Sequence, residues 1–176
     1  LAERIQTISS SNKISLDIQR TREWLQKYNQ ALSTPLSDEQ QQAILKAVQS
    51  PVFVLTGGPG VGKTTTANTL IRLLRAMGYG VALCAPTGRA AQRLSEISAM
   101  PAKTIHRLLE WNPKQGGVHK NRDNPLTHQC IICDEASMLD LSLAEALLEA
   151  CADNSQIIFI GDVDQLPSVG PGNVLY

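Results

Sequence analysis

No stretch of this sequence approaches the length of a membrane span, and its first residues, Leu1-Ala2-Glu3-Arg4, offer neither an initiator Met nor the apolar core of a signal peptide. The chain reads as a cytosolic protein, with an excised fragment as one reading of that start. Net charge is also missing. The 16 basic and 16 acidic residues cancel, so no global field advertises a polyanionic partner, while a neutral total is still compatible with a local groove for nucleic acid. Paired cysteine is missing too. Cys130 and Cys133 invite a redox or zinc reading, but strand alternation sends them to opposite faces, and no second Cys pair or clustered His completes a zinc site. All four cysteines are read as reduced thiols, with Cys84 and Cys133 buried. A chain of 176 residues does allow one domain with a real core and room for a small appendage.

Against these absences stands one complete signature. Residues 57 to 64 read Gly57-Gly58-Pro59-Gly60-Val61-Gly62-Lys63-Thr64, between the apolar run Val52-Phe53-Val54-Leu55 and a helix-forming segment. Glycines let such a loop curl so that successive N–H groups face a β-phosphate; Lys63 reaches the β- and γ-phosphates, and the Thr64 hydroxyl can ligate Mg²⁺. The candidate nucleotide-binding residues are therefore Gly58, Pro59, Gly60, Val61, Gly62, Lys63, Thr64 and Thr65. A glycine-rich turn that binds nothing is the bland alternative. The strand before and the helix after argue against it.

The rest of the chain alternates. Ile14, Ile18, Thr21, Leu25 and Tyr28 form one helical stripe over residues 14 to 28, Pro35 breaks the chain, and Ser37 opens a helix through about Val48 with a capping box to Gln40. Four apolar runs follow, Val52 to Thr56, Val81 to Ala85, Cys130 to Asp134 and Ile157 to Gly161. Between them lie helical stretches at Lys63 to Met77, Arg89 to Ile97, Thr104 to Glu110 and Leu143 to Ala150. Runs apolar at nearly every position, alternating with helices, predict an α/β fold with a parallel sheet sandwiched by helices, as in P-loop NTPases. Ligands bind at the carboxyl ends of such strands.

Two adjacent carboxylates, Asp134 and Glu135, sit at one of those strand ends. Asp134 is placed to hold Mg²⁺ and Glu135 to orient or deprotonate water, although an Asp-Glu pair alone is common at helix N-termini. Gln165, after the last strand, can sense a γ-phosphate; Asp162 and Asp164 nearby could simply begin an Asx-type turn. Pro86-Thr87-Gly88-Arg89, after the second strand, offers a hydroxyl, amides and a cation to a nucleic-acid phosphate, or a routine helix cap. Trp111 to Leu126 breaks the rhythm with two prolines, Gly116-Gly117 and four basic side chains. A hairpin turning at Gly116-Gly117, with Val118 to Lys120 as one arm, and an ordinary loop are both open on composition.

The ordered set LTGGPGVGKTTT, APTGRAAQRL, TIHRLL, DEASMLD and GDVDQLPSVGPG resembles the RecD-like branch of superfamily-one ATP-dependent DNA helicases, which includes the RecD subunit of exodeoxyribonuclease V and its stand-alone bacterial relatives. The resemblance covers about residues 36 to 175. It implies a RecA-like motor domain at residues 36–176, the first of two, preceded by an N-terminal helical stub at 1–35 and carrying a β-hairpin pin at 111–126. It implies ATP with Mg²⁺ as the ligands, Gln40 as the adenine reader, Lys63, Asp134, Glu135 and Gln165 as the hydrolysis set, and Thr64 with Asp134 as the metal pair. Pro86, Thr87, Gly88, Arg89, Thr104, His106 and Arg107 then line a single-strand track, and translocation runs 5′→3′ toward a duplex junction. Such helicases draw an arginine finger and further DNA contacts from a second motor domain, and some act with recombination-complex subunits. The isolated chain is accordingly expected to be nearly inactive. The competing readings are another P-loop NTPase, such as a small-molecule kinase, and a non-catalytic single-strand-binding or interaction module. A kinase would need an arginine-bearing lid, which residues 126 to 176 do not offer.

Overall fold

The computed structural model describes residues 1–11, 16–58, 60–114 and 117–162. Its strands in chain order are β1 (Val52–Leu55), β2 (Val81–Ala85), β3 (Ala102–Thr104), β4 (Trp111–Asn112), β5 (Gly117–Val118), β6 (Cys130–Cys133) and β7 (Gln156–Ile160). Five of them form one sheet in the order β1-β7-β6-β2-β3, every pairing parallel, and β4 and β5 form a separate antiparallel hairpin. The parallel sheet follows from the sequence pattern. β6 and β7 are buried at every position, which only a sheet covered on both faces provides.

Helices cover those faces. They are α1 (Ala2–Ser11), α2 (Ile18–Ala31), α3 (Asp38–Ala47), α4 (Lys63–Ala76), α5 (Gly88–Ser98), α6 (Ile105–Leu108) and α7 (Leu141–Ala150). Strand alternation sorts the side chains into two cores. Cys130, Ile132, Ile158 and Ile160 point into the one built with Leu25, Ile44, Leu70, Leu74 and Leu94 of α2 to α5. Ile131, Cys133, Ile157 and Phe159 point into the other, with Ile8, Ile105, Leu108 and Leu147. Cys130 and Cys133 thus do lie on opposite faces. All four cysteines are free and buried, two more buried than composition suggested.

Several expectations shift. The N-terminal helix over residues 14 to 28 starts instead at Ile18, because Asp17 caps it by accepting from the Gln19 and Arg20 amides; Ile14 lies outside the described residues. A fifth sheet strand, β3, is present where only a helix start at Thr104 was expected, and α6 is four residues long rather than reaching Glu110. Thr104 ends the strand and caps the helix, accepting from the Arg107 amide at 3.2 Å. Helix α7 starts two residues early at Leu141, where Asp140 caps it. The hairpin turn is not the two-residue Gly116-Gly117 turn: Gly117 is already paired with Asn112 and Val118 with Trp111, and the arm ends at Val118 rather than Lys120. The amides of His119 and Lys120 instead donate to the Leu109 carbonyl, closing the root of the hairpin. The tip residues Gln115 and Gly116 lie outside the described residues.

Two buried polar side chains lock the frame that positions the phosphate loop. Gln156 at the start of β7 donates to the carbonyls of Ala47 and Ser50 at 2.6 and 2.7 Å, tying the end of α3 to the sheet just before β1. Arg4 of α1 donates to the Leu148 and Cys151 carbonyls and pairs with Asp153. A cation there satisfies orphan carbonyls at the C-terminus of α7 and favours its dipole.

Candidate nucleotide site at the end of the sheet

The loop between β1 and α4 turns into the helix at Gly62, whose φ of 81° is left-handed. A side chain there is strained by that backbone conformation and would also push the Gln40 carboxamide out of its place beside the loop. Helix α4 then presents its first-turn amides to solvent with no acidic side chain in that turn, in contrast to α3, which carries Asp38 and Glu39 there. An N-terminus free of its own carboxylates is an open anion site.

Gly58, Gly60, Gly62, Lys63 and Thr64 line a cavity of about 380 Å³ together with Asp134, Glu135 and Asp162. The size suits a small-molecule ligand. The Lys63 ammonium is fully engaged: it donates to the Gly57 carbonyl and, at 2.8 Å, the Gly58 carbonyl of its own loop, and to the Asp162 carboxylate after β7 at 3.2 Å. An ammonium has three N–H donors, so a phosphate reaches Lys63 only by displacing one of these acceptors. Asp162, buried at 2% exposure, holds the amine at the mouth of the loop.

Across the cavity β6 delivers its carboxylates. The Asp134 amide donates to the Cys84 carbonyl at 2.9 Å, extending the β2–β6 pairing past the strand, and the Asp134 carboxylate accepts from the Glu135 amide at 2.9 Å. Burial pushes the Asp134 carboxyl above its ordinary value. The Glu135 amide, Arg93 and Lys63 oppose that, and the Glu135 charge adds to it. Glu135 itself has φ 53°, left-handed for a residue with a Cβ. Such a conformation costs on the order of 1–2 kcal/mol and persists where the surroundings enforce it, commonly at functional positions.

A thiol, imidazole or carboxylate cluster able to hold a metal unaided is absent among the described residues. The donor set that does share the cavity, one hydroxyl from Thr64 and one half-buried carboxylate from Asp134, fits Mg²⁺, which keeps waters and completes its shell with nucleotide phosphates.

Not every expected residue converges here. Gln40 completes the capping box with Ser37, and its Nε2 donates to the Val61 carbonyl at 3.3 Å and the Gly62 carbonyl at 3.5 Å, so it braces the loop from outside the cavity. The Val61 side chain is exposed, and Thr65 does not line the cavity. Pro59 and Gln165 lie outside the described residues. The second group collects at the same carboxyl-terminal end of the sheet, after β2 and β3. Thr87 follows β2 and caps α5, accepting from the Ala90 amide at 3.2 Å, and Thr104 ends β3 in register with Ala85. Pro86, Gly88 and Arg89 adjoin Thr87, while His106 and Arg107 adjoin Thr104, at the ends of strands three and four places from β1, which leads into the phosphate loop. Asp162, Asn68 and Arg93 are cavity residues absent from the sequence candidates. Asp162 had been read as a turn former; Asn68 lies four residues after Thr64 on α4, and Arg93 four after Arg89 on α5, so helical spacing was the available signal. Arg93 makes no hydrogen bond or salt bridge among the described residues.

Comparison with known proteins bears on the fold and family of the chain. A family profile described as an AAA domain matches residues 40–171. The ATP-dependent RecD2 DNA helicase of Deinococcus radiodurans is 41% identical over 137 residues, 78% of this chain and 19% of that protein. The RecBCD enzyme subunit RecD of Mycobacterium tuberculosis is 39% identical over 161 residues, 78% of this chain and 28% of the subunit. The chain therefore spans less than a third of these relatives. Among solved structures, a Pif1 helicase from Candida albicans superposes with a TM-score of 0.54 at 29% identity, covering 76% of this chain and 34% of that one. By profile and by relatives, the chain belongs to the AAA-domain family and is a RecD-like member of it.

Proposed function

We propose that the chain is the first, ATP-binding motor domain of a cytoplasmic, ATP-dependent DNA helicase of RecD type, which couples hydrolysis to 5′→3′ movement on single-stranded DNA and to duplex unwinding in recombination or repair. The observation that carries this is one cavity shared by Lys63, Thr64, Asp134 and Glu135, with a second set of capped helix starts, at Thr87 and Thr104, at the same carboxyl-terminal end of the sheet. In this reading residues 36–176 form the motor, residues 1–35 belong to an N-terminal region, and a second motor domain of the parent chain supplies an arginine. Single-stranded DNA, the duplex junction and the subunits of a recombination complex are its partners.

The chain's own residues divide the work. Backbone amides at the start of α4 receive the β-phosphate. Lys63 exchanges a loop carbonyl for a phosphate oxygen while Asp162 keeps its amine in place. Bound through Thr64 and Asp134, Mg²⁺ would neutralise charge on the β- and γ-oxygens. Glu135, held by its left-handed backbone, orients the attacking water and takes its proton. Arg93 adds a cation from the opposite wall of the cavity, Gln40 reads the base beside the loop it braces, and Gln165 senses the γ-phosphate. Pro86, Thr87, Gly88, Arg89, Thr104, His106 and Arg107 track the strand, and the β4–β5 hairpin stands at the fork as the pin.

Measuring ATP turnover by the full-length protein with and without single-stranded DNA tests the reading. Strong stimulation by the strand is expected. Turnover indifferent to DNA but dependent on a small acceptor would make the protein a kinase, and nucleotide binding with no turnover would make it an interaction module.

A further inference from the structure

At the root of the hairpin lies a second hollow, lined by Lys103, His106, Arg107, Glu110 and Trp111. Trp111 belongs to β4, and its side chain is 50% exposed, unusual for so large an aromatic. It is nevertheless fixed. Its backbone pairs with Val118, and its indole meets the His106 ring edge to face at 5.8 Å and 83°. An indole on a half-exposed residue, braced by the His106 ring, is ready to stack against another flat group.

The charges around it select what that group is. Lys103 and Arg107 make no side-chain hydrogen bond or salt bridge among the described residues. The one acid in the hollow, Glu110, is occupied by His119 at 2.9 Å. Two uncommitted cations and a carboxylate already hydrogen-bonded to His119, around an exposed aromatic, fit an anionic, flat-faced ligand. Nucleic acid in which the base is unstacked from its neighbours has both properties, a phosphate chain for the cations and a π-face for the indole. A base inside a duplex is unavailable for such stacking.

We propose that Trp111 is a stacking platform for one nucleobase of single-stranded DNA, with Lys103 and Arg107 holding the phosphates on either side of that base. The proposal rests on the DNA-motor reading above and adds to it a contact that grips a base rather than the backbone. It places that grip where the hairpin leaves the domain, so that the first base freed at the fork is captured as it unstacks.

The test is the affinity of the full-length protein, without nucleotide, for a fluorescently labelled oligothymidylate and for an abasic strand of the same length, in the parent and in Trp111→Ala, Trp111→Phe and Arg107→Ala. Stacking by one aromatic predicts that Trp111→Ala weakens binding to oligothymidylate about tenfold, with Trp111→Phe retaining most of the affinity. On the abasic strand the parent and Trp111→Ala should bind alike, which also shows that the variant is folded. Arg107→Ala should weaken binding to both strands and lower the salt slope by about one. Equal affinity of the parent and Trp111→Ala for oligothymidylate overturns the platform, leaving Trp111 for a protein partner, and so does a deficit of the same size on the abasic strand. If the parent binds oligothymidylate and only the Trp111 effect is missing, the motor reading stands without the platform; a parent that binds neither strand sinks both.

Discussion

Under the proposed function, the β1 and β3 sides of the sheet hold an anion in opposite ways. At the β1 end that reading rests on backbone: a left-handed Gly62, the open amides of a 14-residue helix and a lysine saturated by three acceptors, one of them the buried Asp162. At the β3 end it rests on exposed side chains of a four-residue helix and of a hairpin of two-residue strands, and the Thr104 hydroxyl already serves its own helix. A preorganised pocket concentrates its energy in a few groups, so single changes there are costly; an exposed track spreads it, so single changes are mild.

The largest effect expected from that contrast concerns completeness. Because an arginine finger contributes on the order of 10³ to 10⁵ in rate, the 176-residue chain alone should hydrolyse ATP far more slowly than the full-length protein and should not unwind duplex DNA. Steady-state turnover of the two side by side checks this, and DNA-stimulated turnover at full-length rates by the short chain would contradict it. Next comes Glu135→Gln in the full-length protein. A positioned general base contributes typically about 10² to 10⁴ in rate, so turnover should fall by that order while ATP stays bound, as a nucleotide-release assay would show; a fall in binding of the same size would reassign Glu135 to ligand contact.

How far each end could be read from the sequence follows the same divide. The phosphate loop was legible because eight consecutive residues carry the whole device, and β6 and β7 because continuous apolar runs need a sheet covered on both faces. Strand β3 was not, since Ala102-Lys103-Thr104 is a three-residue edge with an exposed lysine in its middle and no periodic signal. Helix α1 was not, since what holds it is a long-range contact from Arg4 to the carbonyls of Leu148 and Cys151. Asp162 and Arg93 were missed although both stand inside quoted motifs, because it is the fold, through the end of β7 and through α5, that brings them to the cavity. The hairpin was half legible: glycine and proline marked its place, but Gly117 turned out to be a ladder residue.

Smaller effects belong to the far end. Replacing residues 115 to 118 by a tight turn removes β5, and in the full-length protein it should leave single-strand-stimulated ATPase nearly intact while abolishing strand separation, as parallel ATPase and unwinding assays would reveal. Equal loss of both would show that the hairpin supports the fold, and unwinding at the parental rate would make it a surface connection. Smallest of all, Arg89→Ala should weaken single-strand binding and lower its salt slope by about one, with no change in nucleotide affinity; an unchanged slope would remove Arg89 from the track.

The account rests most directly on the phosphate loop, and calorimetric titration of the full-length protein and its Lys63→Ala variant with ATP in the presence of Mg²⁺ addresses it without any assay of DNA. Loss of a charge-assisted contact of about 1.5–3 kcal/mol predicts an affinity lower by roughly tenfold to a hundredfold in the variant. Equal affinity in the two proteins would contradict the assignment of this cavity as the nucleotide site.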